Sequence, residues 1–265
     1  MKAVFLKELK LNRRSLFFWS LAIIITAAWG IGEYPFLKEN LDAVMSGLNV
    51  LPRIILIMFG VDGLTLQTAM DYYLTMYYYY ALIAFFHAVH TGYSIIAREE
   101  KNKTAEFLYT KPLSRHTVLS AKILSGITGL AVIAAVAFLT TLIGMLPVLQ
   151  AFDITGKVLL TIVGMFFTQL VFFAFGALCA ALFKTWKIIS LSSYVLVITT
   201  YALAVYLRYV ENSGLLNLLS PFQYFIAHNV IRSGLNPFYI IFSIGIALLA
   251  FYATSTLYTK REFLY

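Results

Sequence analysis

The sequence predicts an all-α membrane protein with six transmembrane helices, and three observations carry that prediction. Mean hydropathy is +0.82, and only 12% of the 265 residues are charged, too few to surround a water-soluble domain. Apolar stretches of about 20 residues recur, the length a helix needs to cross a hydrocarbon core of ~30 Å. Lys and Arg gather at alternate ends of those stretches, as they do in polytopic chains.

The spans are read at Leu16–Gly32, Tyr72–Ala97, Val118–Leu146, Val158–Phe183, Ile188–Leu207 and Phe238–Tyr258. A seventh apolar region, Leu41–Gly60, carries Asp42, Asn49, Pro52 and Arg53, and its unbroken run Ile54–Phe59 is too short to cross. Its helical spacing of Leu41, Val44, Met45 and Leu48 suits a helix lying in the interface. Ahead of the first span, "MKAVFLKELKLNRRS" mixes Phe5, Leu6 and Leu9 with five cations and reads as an amphipathic interface helix over 1–15.

Fifteen of the twenty Lys and Arg residues fall on the side holding both termini and the connection between spans two and three. The positive-inside rule makes that side cytoplasmic. The connection between spans four and five is minimal, so the segment around 99–111 is the one large cytoplasmic feature. Two larger segments, Glu33–Asp71 and Arg208–Pro237, lie outside. No linker or repeat divides the chain, which reads as one domain over 1–265. No cleavable signal peptide is expected. The basic pI near 9.4 follows from topology and does not call for nucleic acid as a partner.

Candidate chemistry is sparse. His87 and His90 are spaced i, i+3, but a metal site needs three or four ligands and nothing nearby completes one, so no metal is expected. Glu99 and Glu100 are adjacent, point different ways on a helix, and sit at the membrane exit. Gly156-Lys157 is no phosphate-binding loop: no Gly stands five residues before it, and Val158 occupies the Ser/Thr position. No catalytic residues and no bound cofactor are expected, and the chain reads as a non-enzyme. The lone Cys179 lies in an apolar run and reads as a packed side chain. Spans free of deep charges argue against an ion-coupled secondary transporter, which stays as an alternative beside a non-transport membrane sensor or scaffold.

Two further patterns are noted. "DYYLTMYYYY" places Tyr72, Tyr73 and Tyr77–Tyr80 at the outer end of the second span. They suit an aromatic belt first; the lining of a pathway by Tyr77, Tyr78 and Tyr80, with His87 further in, is the sharper alternative. Ser125 with Gly129, and Gly176 with Ala180, mark close helix packing.

The connection "REEKNKTAEFLYTKPLSRHTVLSAK" reads as a helix continuing over Glu99–Thr110, supported by the i, i+4 pair Glu99–Lys103. Pro112 turns the chain, and Ser114 caps the third span. It resembles the signature between spans two and three of ABC-2 type transporter permeases, in a branch similar to bacterial peptide and drug exporters. The positions that carry the resemblance are Glu99, Glu100, Thr104, Glu106, Phe107, Leu108, Pro112, Ser114, Arg115 and Lys122, with Lys103 departing from the usual Gly. "EYPF…LPRIILIMFGVDG" with "DYYL", and "LLSPFQYF" before the last span, are also similar to that family.

The resemblance implies the membrane-spanning subunit of an ATP-driven exporter. It would pair with a second permease chain, as homodimer or with a paralogue, and with two separately encoded ABC ATPase subunits that carry ATP and Mg²⁺. Residues 99–111 would be a cytoplasmic coupling helix seated on the ATPase, and 208–237 would hold short re-entrant helices in the outer leaflet. The setting implied is a bacterial or archaeal plasma membrane with both termini cytoplasmic. Peptides, toxins and drugs are the implied cargo.

Overall fold

The computed structural model describes residues 2–102, 114–149, 152–211 and 214–260. Nine α-helices are found among them: α1 (Lys2–Glu39), α2 (Leu41–Val50), α3 (Arg53–Met58), α4 (Ala69–Lys101), α5 (Arg115–Leu149), α6 (Phe152–Leu182), α7 (Trp186–Tyr209), α8 (Ala227–Ser233) and α9 (Pro237–Lys260). Two short 3₁₀ turns, Leu215–Leu219 and Pro221–Gln223, precede α8. Six of the helices are long and apolar enough to cross a membrane, and they contain the six predicted spans except for Phe183, which lies one residue past its helix. Their outward faces are apolar, with Phe18, Trp29, Ile143, Leu191, Leu249 and Tyr252 exposed, as suits helices surrounded by lipid.

The bundle is centred on α4 and α6, which share its most extensive contact. Glycine makes that approach possible. A Cβ on Gly92 would fall 2.1 Å from the carbonyl oxygen of Phe173, and one on Gly176 would fall 2.3 Å from that of Val89. The two backbones therefore touch at reciprocal positions, as small residues permit between membrane helices. Gly176 and Ala180 pack as the sequence suggests. Gly92, the partner of Gly176, was not foreseen. Around this pair, α1 packs along α5, α9 lies on α6, and α7 leans on α4.

Local signals explain most helix ends. Thr68 caps α4 by accepting from the Asp71 amide at 3.1 Å, and Ser114 caps α5 by accepting from the Thr117 amide at 3.2 Å. Pro52 separates α2 from α3, and Pro237 is the first residue of α9.

One predicted boundary is absent. The stretch 1–15 does not form a separate helix, because α1 runs unbroken from Lys2 to Glu39. Nothing between Leu11 and Leu16 ends a helix: the intervening residues are Asn12, Arg13, Arg14 and Ser15, with no Gly or Pro. The first turns also have tertiary contacts that hold them upright. Val4 packs on Val118 and Ala121 of α5, and the buried face of this end is Val4, Glu8 and Asn12, while Leu6 is exposed. Of the expected apolar stripe, Phe5 and Leu9 are half-buried.

The ends of α1, α4, α5 and α9 that meet through these contacts and through Arg115–Thr259 define the termini face. The opposite, far face carries α2, α3, the 3₁₀ turns and α8. There the chain after α7 turns back alongside it. Ser220 Oγ donates to the Thr200 carbonyl at 2.8 Å, and Gln223 Nε2 donates to that of Ala204 at 3.0 Å. Thr200 lies nine residues before the end of α7, so the returning segment reaches about 13 Å down that helix at 1.5 Å per residue.

Candidate functional site

The residues singled out by sequence separate into two places, one at each face. At the termini face, four charged side chains from three helices meet, with Glu8, Glu99 and Lys122 buried and Arg98 at the edge, 16% exposed. Lys122 of α5 is wholly buried and donates at 2.6 Å to both the Glu99 carboxylate and the Ile95 carbonyl of α4. Its ammonium also lies 3.7 Å from Glu8 of α1. Glu8 accepts from Arg98 Nη1 at 3.1 Å, and Arg98 Nη2 bonds to the Asn12 side chain. Two carboxylates thus face two cations, and the third donor position of the lysine is taken by a backbone carbonyl.

A buried charge of this kind persists only when it is paired and hydrogen-bonded, because removing one partner leaves an ion without water. The arrangement therefore ties α1, α4 and α5 into one unit. Beside it, Lys101 sits 3.9 Å over the Trp186 ring of α7, and Arg115 donates at 2.9 Å to the Thr259 carbonyl near the end of α9, where a cation is favoured by the helix dipole.

Several sequence expectations change here. Glu99 is not solvated at a membrane exit but buried, and it pairs across to Lys122; Lys103, its expected partner along the helix, lies outside the described residues. Lys122 is likewise buried inside the bundle. Buried charge does exist in this bundle, although it lies near helix ends: Glu99 is two residues from the end of α4. Glu100, as expected from its spacing, points elsewhere and is half-buried. Ser114 and Arg115 hold the start of α5. Thr104, Glu106, Phe107, Leu108 and Pro112 lie outside the described residues, as does most of the coupling helix expected over 99–111. Glu8 and Asn12 were missed, and the signal was their i, i+4 repeat with Val4 on a helix whose other faces are basic or apolar.

At the far face, α3, α4, α6, α7 and α8 enclose a cavity of about 590 Å³, within the usual range for a small-molecule site. Tyr77 and Tyr78 both line it. Their hydroxyls are spent on protein: Tyr77 donates to the Thr161 carbonyl at 3.1 Å, and Tyr78 donates to Tyr201, which donates in turn to the Met58 carbonyl at 2.7 Å. Each therefore turns aromatic carbon toward the space. Phe85, Phe222 and Phe172 pack ring against ring at its inner end, with centroids 5.1 to 5.4 Å apart.

The cavity wall needs a glycine turn. Gly60 has φ +71°, and a Cβ there would fall 2.5 Å from the Tyr78 ring, so both the conformation and the space exclude other residues. At the mouth, Arg53 joins Glu211 at 2.6 Å and Asp62 at 3.3 Å, which raises its already high pKa, first through the Glu211 hydrogen bond. His228 is held below the usual imidazole value, chiefly by desolvation and then by the charge of Arg232.

The remaining pathway candidates lie elsewhere. Tyr80 faces a much smaller space, beside Tyr72, Met76 and Gly144. His87 is buried between α4 and α1, bonded through Nε2 to Thr91 at 3.0 Å and packed on Trp19. The Nδ1 of its neighbour His90 lies 2.9 Å from the hydroxyls of both Tyr93 and Tyr194, a shared network that joins α4 to α7. The structure thus separates the tyrosine cluster by face: Tyr77 and Tyr78 toward the cavity, Tyr80 toward α1 and α5.

Residues 2–263 match the family described as ABC-2 family transporter protein. No curated protein matches the chain in sequence. Nearly the whole chain is covered, and its six apolar helices are those of a multi-pass membrane protein. The chain belongs to the ABC-2 transporter family, the permeases of ABC transporters.

Proposed function

We propose that the chain is the permease subunit of an ATP-driven exporter, powered by separately encoded ATPase subunits that dock on the segment from Glu99 to Arg115. One observation carries this reading. The ion-paired junction of Glu8, Arg98, Glu99 and Lys122 sits at the root of that segment and joins both helices flanking it to α1. A displacement of the segment would therefore be passed to three spans together, not absorbed by one.

In this mechanism the segment is cytoplasmic, with Phe107 and Leu108 supplying apolar contact to the ATPase and Glu106 its charged contact. ATP and Mg²⁺ belong to the ATPase, and the permease itself catalyses nothing. Two ATPases closing on ATP would drive the coupled α1–α4–α5 units of two permease chains, and access would switch from the cytoplasmic to the outer side. Tyr77 and Tyr78 at the far end of α4 would meet amphipathic cargo such as peptides or drugs. The segment that returns along α7 to Thr200 suits a re-entrant element of the outer leaflet. The setting is a bacterial or archaeal plasma membrane.

The test is to establish whether a neighbouring reading frame encodes a P-loop protein and to co-express the chain with it. The expected result is a complex that survives purification and whose ATPase rate changes when the permease is present. A permease that purifies alone, and leaves that rate unaltered when mixed in, would refute the proposal.

A further inference from the structure

The far-face cavity has a chemical polarity that the transport reading does not use. Its inner wall is aromatic, made by Tyr77, Phe85, Phe222 and Phe225, with the tyrosine hydroxyl already bonded to a carbonyl. Its mouth holds two arginines in different states. Arg53 is matched by both nearby carboxylates, Asp62 and Glu211. Arg208, half-buried on the same wall, has no carboxylate at ion-pair distance among the described residues. A guanidinium at the rim of an apolar pocket presents a fork suited to a carboxylate or phosphate, and the exposed amide of Asn229 lies on the same rim.

We infer that this cavity binds an amphiphile with a single anionic head and an apolar body, the head on Arg208 and the body against Phe85, Phe222 and Phe225. A cationic head is disfavoured because the mouth's two carboxylates already share Arg53, while Arg208 would repel it. Two sources share the required chemistry: an anionic membrane lipid and a transported acidic solute. The site is formed within one chain, so the inference stands independently of ATPase docking.

The experiment is photolabelling of the purified full-length chain, in neutral detergent, with a diazirine-bearing palmitate. Labelling is expected on peptides containing Tyr77–Phe85 or Pro221–Asn229. Hexadecylamine should compete poorly and palmitate well, a comparison that needs no mutation. Arg208→Gln should weaken labelling about tenfold, the cost of one charge-assisted hydrogen-bonded contact, and Ala204→Phe should block it by filling the wall, while Arg232→Gln leaves it unchanged. Displacement by dioleoylphosphatidylglycerol but not by 2-naphthoate assigns the site to lipid, and the converse assigns it to an acidic solute. Labelling outside these peptides, equal competition by the amine, or displacement by neither anion would overturn the inference.

Discussion

The two faces of the bundle solve opposite problems. At the termini face, charged side chains are driven into the interior and matched one to one, so that α1, α4 and α5 hold together at Glu8, Arg98, Glu99 and Lys122. At the far face, the charges stay at the rim and the interior is left open, with tyrosine hydroxyls satisfied so that carbon lines the space. The first end ties three helices into one unit. The second leaves a space between helices. Both are joined by α4, which is packed against α6 through bare backbone at Gly92 and Gly176, so it works as a stiff rod between them.

This contrast can be broken from either end. The largest effect is expected at the junction. Lys122→Met strands Glu99 and leaves Glu8 with Arg98 alone, and should cost about 3–5 kcal/mol, the loss when one member of a buried pair is removed. Thermal unfolding in detergent would show it as a large drop in Tm. The double replacement Lys122→Met with Glu99→Gln should recover most of that loss, since a buried pair exchanged for neutral groups is often nearly neutral in stability. A double variant as unstable as the single one would mean that packing at Lys122, not charge, holds the junction.

Next comes the rod. Gly92→Ala forces a methyl toward the Phe173 carbonyl and should cost about 1–3 kcal/mol, as overpacking does elsewhere, again read as Tm. Unchanged stability would show that α4 and α6 can separate cheaply. A smaller effect is expected on the cavity wall, where Tyr201→Phe removes the hydrogen bond to the Met58 carbonyl, at about 1 kcal/mol. The smallest belongs to the rim: Arg53→Gln breaks an exposed cluster of the kind that rarely contributes measurably, and Tm should not move. A drop there as large as at Lys122 would erase the distinction between the two faces.

How much of this was legible in the sequence follows from the range of the interactions. The six spans, the Ser114 cap and the start of α9 at Pro237 are set by residues close in the chain, and length, hydropathy and capping chemistry are enough to read them. The junction is set by Glu8 with Arg98 and Lys122, about ninety residues and more away, and no local pattern announces that pairing. The same local logic left Glu99 in solvent, because its partner across the helices, Lys122, stands 23 residues further on. Tyr77, Tyr78 and Tyr80 stand out in the sequence as a group but are not sorted by it, because a helix turns about 100° per residue and only the tertiary packing says which direction is the cavity. Gly92 looked like a single glycine in a helix until its partner Gly176 came opposite.

In the proposed mechanism, an ATPase engages this permease on the segment that follows Glu99. The most direct measurement is retention of that ATPase on purified chain carrying Glu106→Ala and Phe107→Ala together. The account predicts that the wild-type chain retains the ATPase, and that the double variant, still folded by its unchanged Tm, loses it or no longer alters its hydrolysis rate. A double variant that keeps both the partner and the coupled rate would contradict it.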